Sequence, residues 1–246
     1  MPATPPGTLR NRARMGPPID WACLEGWQRH VGMPKLPRLI QSILAVIPVK
    51  NEVAMIHMRD AMRAVLSHRR GDVVLATETS VGAWSDVSTD VTLDLAVPAM
   101  SKGSSIALGV ALAQPERRVI LWDGDGSLLM NLGSIITVAG KGPANFYHIV
   151  VDNGVYAMTG GQPVPNAGNL DFQGLAKAAG YARTFEFDDL EDWTSEIGGV
   201  LEEDGPVLVV MKTVPELTDW KVNPPPPERP LREAGRMAHQ AMASEA

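Results

Sequence analysis

Two polar turns in the middle of the chain carry the residues best suited to bind a cation. The first turn covers residues 123–126 (DGDG) and the second covers residues 152–154 (DNG). Asp125 offers a carboxylate oxygen, Asn153 an amide oxygen and Val155 a backbone carbonyl oxygen, all hard ligands of the kind that Mg²⁺ prefers. Three protein oxygens leave about three positions of an octahedron for water and phosphate oxygens. The pattern therefore predicts a site for Mg²⁺ and a diphosphate.

Both turns follow predicted strands that one predicted helix connects. Residues 119–122 and 146–151 are apolar and rich in β-branched side chains, which favours buried strands, and residues 127–139 favour a helix. In a parallel sheet, the carboxyl ends of two strands joined in this way meet at one edge, where ligands bind. We therefore expect the two turns to lie side by side.

Small residues around the first turn suit a diphosphate. Gly124 and Gly126 allow a close approach of the backbone. Ser127 opens the predicted helix, whose free N–H groups favour an anion. A generic strand–helix–strand unit with glycine-rich turns is the alternative interpretation, but the presence of both Asp125 and Asn153 in one unit favours the metal–diphosphate site.

The sequence GDGSLLMNLGSI…DNGVY resembles the thiamine diphosphate motif, in which GDG is followed after a spacer by NN or DN. It is most similar to the thiamine-binding subunit of sulfopyruvate and phosphonopyruvate decarboxylases, and the resemblance covers residues 60–216. It implies thiamine diphosphate and Mg²⁺ as cofactors, with the three oxygens named above on the metal. It also implies that Gly124, Gly126 and Ser127 contact the diphosphate.

Two further segments gain a role only from this resemblance. Thr79 and Ser80 follow the predicted strand 72–76, where the family places hydroxyls that contact the diphosphate; an ordinary polar loop is the alternative. Where the family usually reads GSMG, this chain reads PAMS. Pro98 would offer its carbonyl to the pyrimidine ring and Met100 would meet the two cofactor rings. The departure from the usual pattern keeps a non-catalytic role open.

The alternation of strands and helices predicts the fold. We expect an α/β domain with a doubly wound, mainly parallel sheet sandwiched by helices. The resemblance implies that this is the diphosphate-binding domain of the thiamine diphosphate-binding fold. This domain is predicted over residues 51–216. Residues 1–50 are interpreted as an extension, either a docking arm or a targeting sequence, and residues 217–246 as a proline-rich linker and a C-terminal helix.

Composition narrows the functional class. The chain has 246 residues, 45% of them hydrophobic, and a net charge of −6, which argues against general nucleic-acid binding. Cys23 is the one cysteine, so a disulfide framework and cysteine-based metal clusters are excluded within the chain. Oxoacid–ferredoxin oxidoreductases, which also carry a thiamine motif, are disfavoured for this reason. No apolar run reaches membrane-spanning length, and we expect a cytoplasmic protein.

The resemblance implies a 2-oxo acid decarboxylase that is split between two chains. The glutamate that activates the cofactor in this family lies on a pyrimidine-binding domain, and this chain has room only for the diphosphate-binding one, so Glu78 is not given that role. We therefore expect a pyrimidine-binding partner subunit in a hetero-oligomer, α2β2 or larger. The alternatives are a carboligase or 2-hydroxyacyl lyase of the acetolactate synthase type, and a regulatory subunit that keeps the fold without catalysis.

Overall fold

A computed structural model of the chain describes residues 56–217 and 231–244, which form a parallel sheet between two layers of helices. The six strands of the main sheet and the two strands of a small hairpin are β1 (Val73–Thr77), β2 (Asp94–Val97), β3 (Val119–Gly124), β4 (Phe146–Asp152), β5 (Val155–Tyr156), β6 (Gln162–Pro163), β7 (Arg183–Phe187) and β8 (Val207–Lys212).

Eight α-helices occur in the described residues. They are α1 (Met58–Leu66), α2 (Thr79–Val87), α3 (Gly103–Ala113), α4 (Asp125–Leu129), α5 (Ser134–Lys141), α6 (Phe172–Ala179), α7 (Leu190–Val200) and α8 (Leu231–Ser244). A short 3₁₀ turn, Ala157–Thr159, lies between β5 and β6. No helix within these residues combines the length and the apolar character that crossing a lipid bilayer requires.

The main sheet has the strand order β2-β1-β3-β4-β8-β7, and every neighbouring pair is parallel. The predicted doubly wound parallel sheet is confirmed. From β1 the chain moves outward to β2 and then returns across β1 to β3, so the strand order reverses between β1 and β3. In sheets of this type, ligands bind beyond the carboxyl ends of the strands at such a switch point.

Apolar side chains cover both faces of the sheet. On one face, Trp84, Trp122 and Trp193 pack with α1, α2 and α7. On the other face, Phe146 and Phe172 pack with α3, α5, α6 and α8. Because both faces are buried, the central strands are almost continuously apolar rather than alternating, as expected for a parallel sheet.

The expected single helix over residues 127–139 is wrong. The chain forms α4 and α5 instead, with a turn at residues 130–133 between them. The Asn131 side chain donates a hydrogen bond to the Ser101 carbonyl at 3.0 Å. This tertiary contact connects the turn to the segment after β2, which local helix propensity does not reveal.

Two segments of the chain form secondary structure that was not predicted. Thr79 and Ser80 begin α2 rather than lying in a polar loop, and neither α2 nor β2 was predicted. Residues 157–168, for which no regular structure was predicted, contain the 3₁₀ turn and β6, which pairs with β5. Both helix α2 and strand β2 are short, with mixed polar and apolar residues, so their periodicity is weak.

Several predictions concern residues near the ends of the chain. The extension over residues 1–50 and the proline-rich stretch 223–230 lie outside the described residues. The predicted C-terminal helix is present as α8, and it buries Ala234 and Ala238 in the core cluster that includes β2.

Candidate diphosphate and metal site

Asp125 lies at the carboxyl end of β3 and connects the two predicted turns. Its side chain is buried, with 2% of the residue exposed. Oδ1 accepts a hydrogen bond from the Gly126 N–H at 2.6 Å, and Oδ2 accepts one from the Gly154 N–H at 2.7 Å. The second bond crosses from the turn after β3 to the turn after β4. The structure thus brings the two turns together.

The electrostatic environment of Asp125 favours a cation. Burial is the main cause that raises the pKa of this carboxyl, the amides of Gly126 and Gly154 lower it and the neighbouring Asp152 carboxylate raises it, and together these effects raise the pKa to about 7. Among the ion pairs of the described residues, none involves Asp125. A buried carboxylate that lacks a positive partner fits a divalent cation, which would hold it ionised.

Asn153 and Val155 form the tight turn beside this carboxylate. The Asn153 Oδ1 accepts a hydrogen bond from the Val155 N–H at 2.9 Å, and Gly154 between them has a φ of +74°, which glycine adopts without strain. All three residues are partly exposed. Within residues 56–217 and 231–244, no group of three or more His, Cys, Asp and Glu side chains is placed to hold a metal. A metal at Asp125 would therefore need amide, carbonyl, phosphate or water oxygens as further ligands.

Gly126 is required by packing. A Cβ at this position would lie 2.6 Å from Tyr156 Cδ1 and 3.2 Å from Val164 Cγ1. Gly124 has more space, since the nearest atom to a Cβ there is 3.9 Å away. The hairpin after β4 therefore lies directly against the first turn, and this contact accounts for the second glycine of the GDG motif.

Ser127 is the third residue of α4, so the expectation that it opens the helix is wrong. Its side chain is buried, and its Oγ accepts a hydrogen bond from the Ser101 N–H at 3.1 Å. Together with the bond from Asn131, this contact fixes the segment after β2 against the first turn. The Ser127 hydroxyl thus holds the backbone of Ser101 in place.

The segment that contains Pro98 and Met100 leaves the edge strand β2. Pro98 is exposed and Met100 is partly buried. Ser101 has a φ of +68°, which is unfavourable for a residue with a side chain and is held by its two hydrogen bonds to α4 and the following turn. The structure thus brings the neighbour of Met100 to the first turn, although β1 separates β2 from β3.

The end of β1 contains a sharp bend. Glu78 has a φ of +48°, a conformation that side chains rarely adopt, and it is followed by Thr79 at the start of α2. Burial, together with the charge of Asp123, raises the pKa of the Glu78 carboxyl. Ser80 is buried, and its Oγ lies 3.6 Å from Met58 Sδ. Its hydroxyl therefore points into the packing between α1 and α2, whereas Thr79 is partly exposed.

Sequence reasoning missed a buried polar network beneath the first turn. Asp123 Oδ1 accepts hydrogen bonds from the Thr77 hydroxyl at 3.1 Å and the Gly124 N–H at 3.0 Å. Its Oδ2 lies 3.4 Å from His148 Nε2, and His148 Nδ1 lies 3.2 Å from the Tyr181 hydroxyl. Every buried polar group in this network therefore has a partner, and Asp123 fixes the amide of Gly124. The one sign of this network in the sequence was Asp123, a charged residue directly before GDG that follows an apolar strand.

A second missed feature is the ion pair between Asp152 and Lys212. Lys212 Nζ lies 2.5 Å from Asp152 Oδ2 and 3.7 Å from Glu186 Oε2. Burial lowers the pKa of Lys212, but its contacts with Asp152 and Glu186 outweigh this effect and raise it, so the ammonium is charged at neutral pH. The signal in the sequence was a lysine that ends an otherwise apolar strand.

Comparison with known proteins shows the family to which the chain belongs. Residues 86–211 match the family described as thiamine pyrophosphate enzyme, C-terminal TPP binding domain, and the chain belongs to this family. The expectation of a thiamine diphosphate-dependent family is confirmed. In the solved structure of benzoylformate decarboxylase from Polynucleobacter necessarius, the same fold occurs with a TM-score of 0.58 at 19% identity, covering 69% of this chain and 35% of that one.

Two relatives are more similar in sequence. Phosphonopyruvate decarboxylase of Streptomyces hygroscopicus is 43% identical over 113 residues, which cover 46% of this chain and 28% of the relative. Sulfopyruvate decarboxylase subunit beta of Methanocaldococcus jannaschii is 38% identical over 116 residues, which cover 47% of this chain and 61% of the relative. The chain spans less than two thirds of the length of either relative.

Proposed function

We propose that this chain is the diphosphate-binding subunit of a thiamine diphosphate- and Mg²⁺-dependent 2-oxo acid decarboxylase. The observation that carries the proposal is the buried Asp125 carboxylate, which lies against the Asn153–Gly154 turn and has a raised pKa. Membership of the thiamine pyrophosphate enzyme family and the similarity to two decarboxylases support the same conclusion.

The chain's own residues have distinct tasks in this proposal. Asp125 and Asn153 would bind Mg²⁺ through their side chains and Val155 would bind it through its carbonyl. The diphosphate would be lined by residues of the first turn and of the helix starts that follow β1 and β3, namely Gly124, Gly126, Ser127 and Thr79. When bound, thiamine diphosphate supplies the electron sink for cleavage between a 2-oxo carbon and its carboxylate.

The segment after β2 would meet the organic part of the cofactor. Pro98 is exposed at this edge and would present its carbonyl to the pyrimidine ring, while Met100 would contact the rings with its apolar side chain. The hydrogen bonds of Ser101 to Ser127 and Asn131 would hold this segment at a constant distance from the diphosphate turn.

A second subunit completes the site in this proposal. The described residues form one sheet with its helices, and the activating glutamate is expected on a pyrimidine-binding domain in a partner chain. The similarity to a relative named as a beta subunit supports a hetero-oligomer. The partner would also exclude water from the exposed residues 153–155 and from Pro98.

Calorimetric titration with thiamine diphosphate and Mg²⁺ tests the proposal. The full chain is titrated alone and together with a candidate pyrimidine-binding partner chain. We expect saturable binding that requires Mg²⁺ and tightens with the partner. Release of CO₂ from sulfopyruvate, phosphonopyruvate or pyruvate then identifies the substrate class. Product analysis separates an aldehyde product from a ligated product. Absence of Mg²⁺-dependent binding under both conditions would overturn the assignment.

A further inference from the structure

Lys212 lies at the carboxyl end of β8, at the same edge of the sheet as the candidate site. In the parallel register of β4 and β8 it stands directly opposite Asp152, and its Nζ lies 2.5 Å from Asp152 Oδ2. The side chains of Lys212 and Asp152 are 22% and 13% exposed, so this ion pair is largely shielded from water. A shielded pair contributes more than an exposed one, because solvent screens it less.

Asp152 connects Lys212 to the candidate metal ligand. The register of β3 and β4 pairs Gly124 with Val151, so Asp125, which follows β3, and Asp152, which ends β4, are each the next residue along the chain from this pair. The Gly154 N–H bonds to Asp125 and holds the turn after Asp152 in place. Burial raises the pKa of Asp125, and the charge and hydrogen-bonding contact of Asp152 add to that effect, which is consistent with two adjacent carboxylates.

Two adjacent carboxylates are unfavourable for an anionic ligand. A diphosphate tail carries several negative charges, and one divalent ion bound by Asp125 does not also neutralise Asp152. Like charges in a largely buried site repel one another strongly, since water does not screen them. The ammonium of Lys212 compensates for Asp152 and leaves the carboxylate of Asp125 available to a metal.

We propose that Lys212 is a positioning residue of the diphosphate site, which offsets the charge of Asp152 and holds the end of β4 so that the 152–155 turn accepts Mg²⁺ and an anionic tail. This inference rests on the proposed function. Lys212 acts through Asp152, 60 residues away in the sequence, and is not assigned any contact with the cofactor.

The test uses the full chain and thiamine diphosphate with saturating Mg²⁺ as the probe. Lys212→Met removes the charge and keeps much of the apolar side chain. The double variant Asp152→Asn with Lys212→Met removes both charges and restores the net charge of the pair. Lys212→Arg keeps the positive charge. Lys177→Met, which changes an exposed lysine on α6 that bonds to Gln173, is the matched control.

The expected result is a pattern across the four variants. Lys212→Met weakens thiamine diphosphate binding by about 10- to 100-fold, the range typical of residues that support metal ligands. The double variant recovers most of the affinity, Lys212→Arg stays close to the wild type, and Lys177→Met has no effect. A purely structural role for Lys212 would not be rescued by a second substitution that removes another hydrogen-bonding group.

Three outcomes decide between the possibilities. If the wild type does not bind thiamine diphosphate, either alone or with the partner chain, the proposed function itself fails. If the wild type binds and Lys212→Met binds equally well, the inference about Lys212 is wrong. If the double variant is as weak as Lys212→Met, charge compensation is wrong.

Circular dichroism and urea unfolding of each metal-free variant monitor folding. If Lys212→Met does not fold, the affinity of the double variant decides: loss of binding there overturns the inference.

Discussion

The two edges of the main sheet bury charge in different ways. At the amino edge, Arg118 donates hydrogen bonds to both oxygens of Asp72 at 2.8 and 2.9 Å, and also to the carbonyls of His68 and Leu201. At the carboxyl edge, the buried Asp125 receives two backbone N–H groups and stands next to another carboxylate. The Arg118–Asp72 pair thus has charged and hydrogen-bonding partners within the protein, whereas Asp125 has no positively charged partner among the described residues.

This difference distinguishes a structural ion pair from a binding site. A buried charge with a complete set of partners gains nothing from a ligand, because its desolvation is already offset within the protein. A buried carboxylate that is held only by amides retains a raised pKa and gains from a divalent ion. The comparison therefore supports the proposed ligand site at the carboxyl edge and a stabilising role for the charges at the amino edge, and four experiments test that division.

Asp125→Ala is expected to have the largest effect on binding. Removal of the carboxylate takes away the one charged side chain among the candidate metal ligands, so Mg²⁺-dependent binding of thiamine diphosphate should fall below detection in calorimetry. Asp192→Ala, which changes an exposed carboxylate on α7, is the control and should bind normally. Normal affinity in Asp125→Ala would show that the site assignment is wrong.

Asp72→Ala is expected to affect stability instead. It leaves the largely buried Arg118 guanidinium with only the exposed Glu202 carboxylate, 3.8 Å away, as a counterion, which costs about 3 kcal/mol in the free energy of unfolding. Urea denaturation measures this loss, and calorimetry under conditions where the variant is folded should show unchanged cofactor affinity. A large loss of affinity with little loss of stability would contradict the separation of the two edges.

The pH dependence of the metal-free chain sharpens the comparison. Because the folded pKa of Asp125 is raised to about 7, this group contributes stability that is fully present below about pH 4 and is lost as the pH rises through about 7. Relative to Asp125→Asn, the wild type should lose on the order of 1–2 kcal/mol between pH 6 and 8. Urea unfolding at each pH measures the difference. Identical pH slopes in the two proteins would count against an uncompensated carboxylate.

Ser127→Ala should have the smallest effect. It removes the acceptor for the partly buried Ser101 N–H and should lower the free energy of unfolding by about 1 kcal/mol. The segment that contains Pro98 and Met100 should then be less well held, with faster amide exchange at Ser101. Ser105→Ala, at an exposed position on α3, is the control. Unchanged exchange at Ser101 would mean that the segment is held without Ser127.

Much of the fold was predictable from local patterns. Strands β1, β3 and β4 were predicted close to their observed bounds, because their apolar runs are clear, and the C-terminal helix α8 was also predicted. Helix α2 and strand β2 were missed because both are short and mixed in composition. The division between α4 and α5 was missed because the contact from Asn131 to Ser101 is tertiary.

The candidate site was predictable to a smaller extent. The GDG and DNG turns mark Asp125 and Asn153 in the sequence, and their assignment as metal ligands stays a prediction. The roles of Asp123, Asp152 and Lys212 were not predicted, because a charged residue next to a motif has no partner that the sequence identifies. The hydroxyl of Ser80 points away from the site, a direction that depends on the packing of α2 on α1.

The sequence by itself determined the family, the alternation of strands and helices, and the order of the two turns, because these depend on residue types within short stretches. Only the tertiary structure decided which carboxylate is compensated and which is not. Lys212 reaches Asp152 across 60 residues, and the Gly154 amide reaches Asp125 across 29 residues. Charge interactions depend on distance in space, and the parallel sheet sets those distances by placing strands from separate parts of the chain side by side.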